Sequence, residues 1–161
     1  MQKQNMNSEH LEKRYKTDIK SAQGVVAMTT MLTVIYIIRR LFTGRFDFYF
    51  CTAVTEFLLK AAQFSPEYRG ALPNAAAIAG IVVYIGLFIA AVILSQKKVK
   101  LLWFSLALYT FDTVFLLAVD LSGYFGSFAP EYLIDIIFHL FILVFLAVGI
   151  HADKKLEKLK N

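Results

Sequence analysis

Two stretches of this chain, residues 101–121 (LLWFSLALYTFDTVFLLAVDL) and 132–150 (YLIDIIFHLFILVFLAVGI), are each apolar over about the 20 residues that a bilayer crossing needs. Each nevertheless carries an ionisable group near its middle, Asp112 in the first and His139 in the second. The segment between them, 122–131, contains glycines, serines and one proline, so the two helices are expected to return antiparallel. Folding the chain about Gly126 places Asp112 fourteen residues before the turn and His139 thirteen after it, at the same depth. A lone carboxylate near the bilayer centre costs about 2.5–3.5 kcal/mol even on the lenient insertion scale. A partner at matched depth is therefore the first feature to expect.

Apolar residues make up 58% of the chain and mean hydropathy is +0.57, whereas an ordinary soluble domain is about 45–50% apolar. The excess lies in long runs, which sets the fold class as all-α: an integral membrane helical bundle of five helices, four transmembrane spans plus one amphipathic helix. The net charge of +5 does not indicate nucleic acid, because Lys97, Lys98, Lys100, Lys154, Lys155, Lys158 and Lys160 flank the ends of apolar runs. There they act as topology signals and as contacts for the bilayer's anionic lipid head groups. Cys51 is the only cysteine, which excludes an intramolecular disulfide, CxxC redox chemistry and a thiolate metal cage. No small-x-small cleavage motif follows the first apolar run, so an uncleaved first helix is expected.

Residues 1–21 read as a polar N-terminal tail, 22–152 as the transmembrane domain and 153–161 as a basic cytoplasmic tail. The expected helices are about 23–42, 46–64, 75–94, 101–121 and 131–151. In the tail, Leu11, Tyr15 and Ile19 recur every four residues and form a weak apolar stripe, suited to an interfacial helix or a leader that continues into the first span. Along 46–64, Thr52, Glu56, Lys60 and Gln63 share one helical face, with Glu56 and Lys60 an i,i+4 pair in the favourable order. Two placements fit this amphipathic segment: it spans with its polar stripe turned inward, or it lies flat in the interface. Ala76, Gly80, Gly86 and Ala90 give the 75–94 run small-residue spacings that favour close helix packing. If 46–64 does not span, twelve Lys and Arg lie on the inside and five outside; if it spans, ten lie inside and six outside, with Lys60 in the membrane. The charge count favours four spans, while the turn at Gly44 and the segment length favour five; five helices are the expectation, the amphipathic one with the spanning placement open. Either way the C-terminus is expected in the cytoplasm and the 122–131 turn outside.

The last third carries a pattern that stands here as LALYTFDTVFLLAVD, FHLFIL and VGIHA. It resembles a group of small bacterial multi-pass membrane proteins whose last two helices bear Tyr-x-x-Asp and Phe-His and which have no assigned activity. The resemblance spans roughly residues 24–152, although only the last two helices are specific, and extends to a polar pair after the first span, Thr55-Glu56 here. This chain departs from the pattern in having Glu56 where an uncharged amide is expected, and in a longer final turn. The resemblance implies architecture and a bacterial cytoplasmic membrane. It implies no reaction.

Three readings of Asp112 and His139 stay open. They are an interhelical lock, joined by Tyr109 or Thr113; a proton or cation relay; or, with Asp135, a divalent-metal or acid/base centre. The relay reading adds Asp120, and Glu131, Asp135 and His139 at i, i+4, i+8. It is weakened because Ile142, Leu143 and Leu146 continue that face without polar groups. No HExxH or GxSxG motif occurs, His10 and His151 lie outside the apolar runs, and Ser95 and Ser105 sit near the opposite helix ends. The expectation is a non-enzymatic structural or accessory membrane component, without cofactor or metal, with a membrane-protein partner or a second copy as candidate associates. A small proton- or cation-coupled carrier is the alternative, and a metal-assisted membrane enzyme the weaker one.

Overall fold

The structure is a computed structural model and describes residues 2–43, 52–61, 75–121 and 130–160. These residues form five α-helices: α1 Gln2–Thr43, α2 Ala53–Ala61, α3 Ala75–Lys97, α4 Leu102–Leu121 and α5 Pro130–Lys160. A 3-10 turn, Val99–Leu101, links α3 to α4, and no strand occurs among the described residues. In lipid every backbone N–H and C=O must be satisfied within the segment, which is why such apolar runs fold as helices. Four of the five, α1, α3, α4 and α5, contain stretches long and apolar enough to cross a membrane.

The four long helices form a closed square in which α1 touches α3 and α5, and α4 touches the same two. Neighbours run antiparallel. Ile19 of α1 packs beside Ala152 and Leu156 of α5, while Tyr36 and Ile37 near the other end of α1 pack on Ala77 and Ile81 in the first turns of α3. The start of α1, the end of α5 and the 3-10 turn therefore share one face, the termini face; the end of α1 and the start of α3 define the opposite, distal face. Outward-facing side chains are apolar: Val82 and Met31 are 65% and 63% exposed, with Val83, Phe111, Val114 and Val144 similar. A continuous apolar exterior of this kind is stable against acyl chains and not against water.

Several expectations change. Residues 2–21 are the first turns of α1, whose 42 residues extend for about 63 Å at 1.5 Å per residue, roughly twice the hydrocarbon core. The Tyr15 and Ile19 stripe is used, but against α5: they pack with Ala152 and Leu156, and α5 itself continues through the basic segment to Lys160. Lys100 bridges to Glu157 at 2.8 Å and Lys154 lies 5.2 Å over the Trp103 ring, so two of the flanking lysines are held by the protein. Of the small residues on α3, Gly80 is a packing position, where an added Cβ would lie 3.2 Å from Leu58 Cδ2 of α2; Gly86 faces open space. Among the described glycines the closest approach is at Gly149, where a Cβ would collide with Ala22 Cβ.

The second segment departs most. As described, α2 has nine residues, about 14 Å, which is half a membrane. It neither spans nor lies flat. Ala53 and Val54 at its start bond to Asp112, the eleventh of the twenty residues of α4, while Leu59 near its end packs with Ala77 and Ile81 at the distal end of α3. Thus α2 rises from mid-bundle to the distal face as a re-entrant half-helix, stacked on α4 through Phe57 and Phe115 (5.4 Å, edge to face). The amphipathic helix expected as the fifth helix is present as this element, and of its possible placements spanning is not the one adopted. The termini and the Lys97–Lys100 region then share a face, which is the four-span arrangement of basic residues. Gln63, residues 46–51 and the 122–129 turn lie outside the described residues.

Candidate functional site

The site is built on one face of α4. Ser105, Tyr109, Asp112 and Leu116 recur at spacings of three, four and seven and are all buried, so Asp112 is held at the centre of the bundle with no exposed surface. Across from it, Asp135, His139, Ile142 and Leu146 form the buried face of α5. Depth matching brings the two together: His139 Nε2 lies 2.8 Å from Asp112 Oδ2, with side-chain exposures of 4% and 0%. The pair read from the sequence is formed.

Three further donors complete the carboxylate. Ala53 N–H donates to Oδ2 at 3.0 Å, Val54 N–H to Oδ1 at 3.1 Å, and Tyr84 Oη–H of α3 to Oδ1 at 2.8 Å. The first backbone N–H groups of any helix lack intrahelical partners, and the positive end of the helix dipole favours an anion. Here a carboxylate from another helix fills that role. Thr52 and Thr55 turn into the same region, their hydroxyls 2.5 Å apart, and Glu56 N–H donates to Thr52 O at 3.2 Å to start the helix. An ionised carboxylate offers about four lone-pair positions. With two donors on each oxygen, all are occupied.

The protonation of the pair follows from its partners. His139 Nδ1 lies 2.8 Å from the Asp135 carbonyl oxygen, which can only accept, so Nδ1 carries a proton. A hydrogen bond between Nε2 and Oδ2 then needs one proton along that axis, as aspartate with imidazolium or as aspartic acid with neutral imidazole. Both forms are neutral overall. This is the physical reason the pair can be dry at mid-membrane, where a net charge would be strongly disfavoured.

The residues expected around the pair take other roles. Tyr109 hydrogen-bonds the Thr29 hydroxyl of α1, and Thr113 donates to the Tyr109 carbonyl at 2.7 Å, so neither bridges Asp112 to His139. Thr29, Thr30 and Thr33 also back-bond to carbonyls of α1. The amphipathic stripe divides: Thr52 is buried beside Asp112, whereas Glu56 and Lys60 form a half-exposed pair at 3.0 Å that does not reach the carboxylate. Asp135 supplies its carbonyl to His139 and is itself buried. The side chains of Asp120 and Glu131 lie outside the described residues. Among the described residues no three His, Cys, Asp or Glu side chains cluster as metal ligands, and the Asp112 oxygens have no lone pair left for a cation.

Three of the donors escaped sequence reasoning. Tyr84 carried a usable signal, being the single polar side chain in the run 75–94, and it is directed inward. The Ala53 and Val54 amides carried none, because backbone donors have no letter in a sequence. No protein-family model matches the chain, and no curated protein or solved structure is significantly similar to it.

Proposed function

We propose that this chain is a small non-enzymatic component of a bacterial cytoplasmic membrane, with its C-terminus in the cytoplasm, in which Asp112 acts as a clasp that holds a re-entrant half-helix. The observation behind this reading is the saturation of Asp112 by four donors from three other helices, three of them buried and the Val54 amide partly so. A carboxylate so fully engaged is suited to fixing register and holding α2, and offers no atom to a substrate. The basic residues near both chain ends suit a cytoplasmic face and anionic lipid heads. The motif resemblance in α4 and α5 supports the same setting.

A small proton- or cation-coupled carrier is the second reading, favoured by one observation. Helices broken at mid-membrane, with a half-helix terminus directed at a charged group, are how many secondary transporters build their binding sites. The discriminating experiment uses purified protein in liposomes, with Asp112→Asn and His139→Gln read for thermal stability and for flux driven by a pH gradient. Loss of stability in both without any wild-type flux supports the clasp. Wild-type flux that vanishes in stable variants replaces it with the carrier.

A further inference from the structure

We propose that the clasp is released by a second proton, which enters from the distal face and frees α2 from Asp112, so that the centre opens toward that face alone. This rests on the clasp reading and adds a proton as the ligand that undoes it.

The argument begins with the count of donors. The Asp112–His139 axis holds one proton, and each Asp112 oxygen already accepts two hydrogen bonds. A second proton taken from water must sit on one of those oxygens, since Nδ1 and Nε2 of the imidazolium are both protonated. It can do so only by displacing Ala53 N–H, Val54 N–H or His139 Nε2–H, or by turning the Tyr84 hydroxyl away. The centre changes from neutral to a net charge of one proton, directly at the positive end of the α2 dipole. The form that bound the amides attracted that end; the new form repels it. Among these donors the two amides are the ones carried by a short half-helix rather than by a span. Moving α2 outward admits water to the charge, so the open state binds the extra proton more tightly, and acid favours opening.

Access is one-sided because the surroundings of Asp112 differ along the bundle axis. On the distal side lie α2 itself with the buried hydroxyls of Thr52 and Thr55, and Asp135 one turn up α5 from His139. On the termini side the centre is closed by Phe88, Leu102, Leu108, Ile142 and Leu146; the polar groups there are the Tyr109 hydroxyl, turned to Thr29, and the buried hydroxyls of Ser105, two turns down α4, and Ser95, which bonds its own helix. The titratable groups facing Asp112 are Tyr84 from α3, Tyr109 from α4, and His139 and Asp135 from α5; α2 contributes Glu56 and Lys60, which are paired with each other.

The test places a thiol at the moving amide: Ala53→Cys in a Cys51→Ser chain, reconstituted in sealed liposomes and labelled with a membrane-impermeant maleimide from each side. Rates are divided at each pH by those of Gln96→Cys in the same background, labelled from the termini side on which that exposed position lies, which corrects for thiol ionisation. The range runs from about pH 8 to about pH 4, bracketing the ordinary His value and reaching that of Asp. We expect relative labelling at position 53 to rise about tenfold or more on acidification, the equivalent of one charge-assisted hydrogen bond, and only from the distal side. Asp112→Asn, checked for unchanged helical content, should label fast at every pH. Tyr84→Phe, which leaves one lone pair of Oδ1 open for the proton, should shrink the acid response. Slow labelling at all pH in the parent with fast labelling in Asp112→Asn would retain the clasp and overturn proton release. Slow labelling in Asp112→Asn as well, or fast labelling in the parent at neutral pH, would overturn the clasp itself. An undiminished acid response in Tyr84→Phe, or labelling from the termini side, would overturn release by a proton arriving at Asp112 from the distal face.

Discussion

The two halves of the bundle are held together by different physics. Toward the termini face, α1 and α5 meet through Ala22 and Gly149 so closely that no side chain fits between them, and the surrounding core of Val26, Phe88, Leu102, Leu146 and Ile150 is apolar. Toward the distal face, the bundle encloses a carboxylate, an imidazole, a tyrosine hydroxyl, two threonines and the start of a helix. Dispersion and close packing depend on shape and tolerate no change of volume. The polar centre depends on every donor having an acceptor, and tolerates no change of count. A membrane protein lacks a hydrophobic driving force between its helices, so close packing at small residues leads in the first half, supplemented by the Gln23–Ser95 and Tyr109–Thr29 bonds. In the second, the buried hydrogen-bonded centre is added to the apolar cluster of Tyr36, Ile37, Leu59, Ala77 and Ile81.

This contrast is broken most severely by Asp112→Ala. It leaves two amides, Tyr84 and His139 without their acceptor in a dry site, and we expect a loss of about 3–5 kcal/mol in reversible unfolding in detergent, with α2 detached. Asp112→Asn should lose less than Asp112→Ala but still free α2, since its amide oxygen accepts from one pair of donors while its NH2 group opposes the other pair. Gly149→Ala attacks the other half. Overpacking at the Ala22 contact should cost about 1–3 kcal/mol by the same measurement while leaving relative labelling at position 53 unchanged. If Gly149→Ala also exposes position 53, the halves are coupled and the distinction fails.

Smaller changes sharpen it. Tyr84→Phe removes one of four donors and should cost about 1–2 kcal/mol, whereas Thr29→Val, which removes the Tyr109 partner on α1, should cost about 0.6 kcal/mol, the average for interhelical hydrogen bonds in membranes. Lys100→Gln breaks the exposed bridge to Glu157 at the termini face and should leave thermal stability unchanged. A measurable loss there would show that the extensions of α1 and α5 contribute more than their surface position implies.

Much of the fold was legible because bilayer length and apolarity act locally. Four runs of suitable length became four spanning helices, and equal spacing from a turn was enough to pair Asp112 with His139. In the amphipathic segment the helix itself was legible, but its length and depth were not, for an equally physical reason. Its periodicity is real, but periodicity reports which side of a helix is polar and not how long the helix is or how deep it sits. The threonines at its start and the Glu56–Lys60 pair looked like one stripe, yet Thr52 and Thr55 are buried at the centre and Glu56–Lys60 is not. Of the two readings of the polar N-terminal residues, continuation into the first helix is the one seen, and Tyr15 and Ile19 there pack on α5.

By itself the sequence determined that this chain is a membrane-spanning helical bundle with an acid and a base at one depth, since hydrophobic length and the cost of a lone intramembrane charge leave few alternatives. Only the tertiary structure decided what surrounds that acid. Its partners include two backbone N–H groups made available by the start of a half-helix, and such donors exist only once the chain has folded around them.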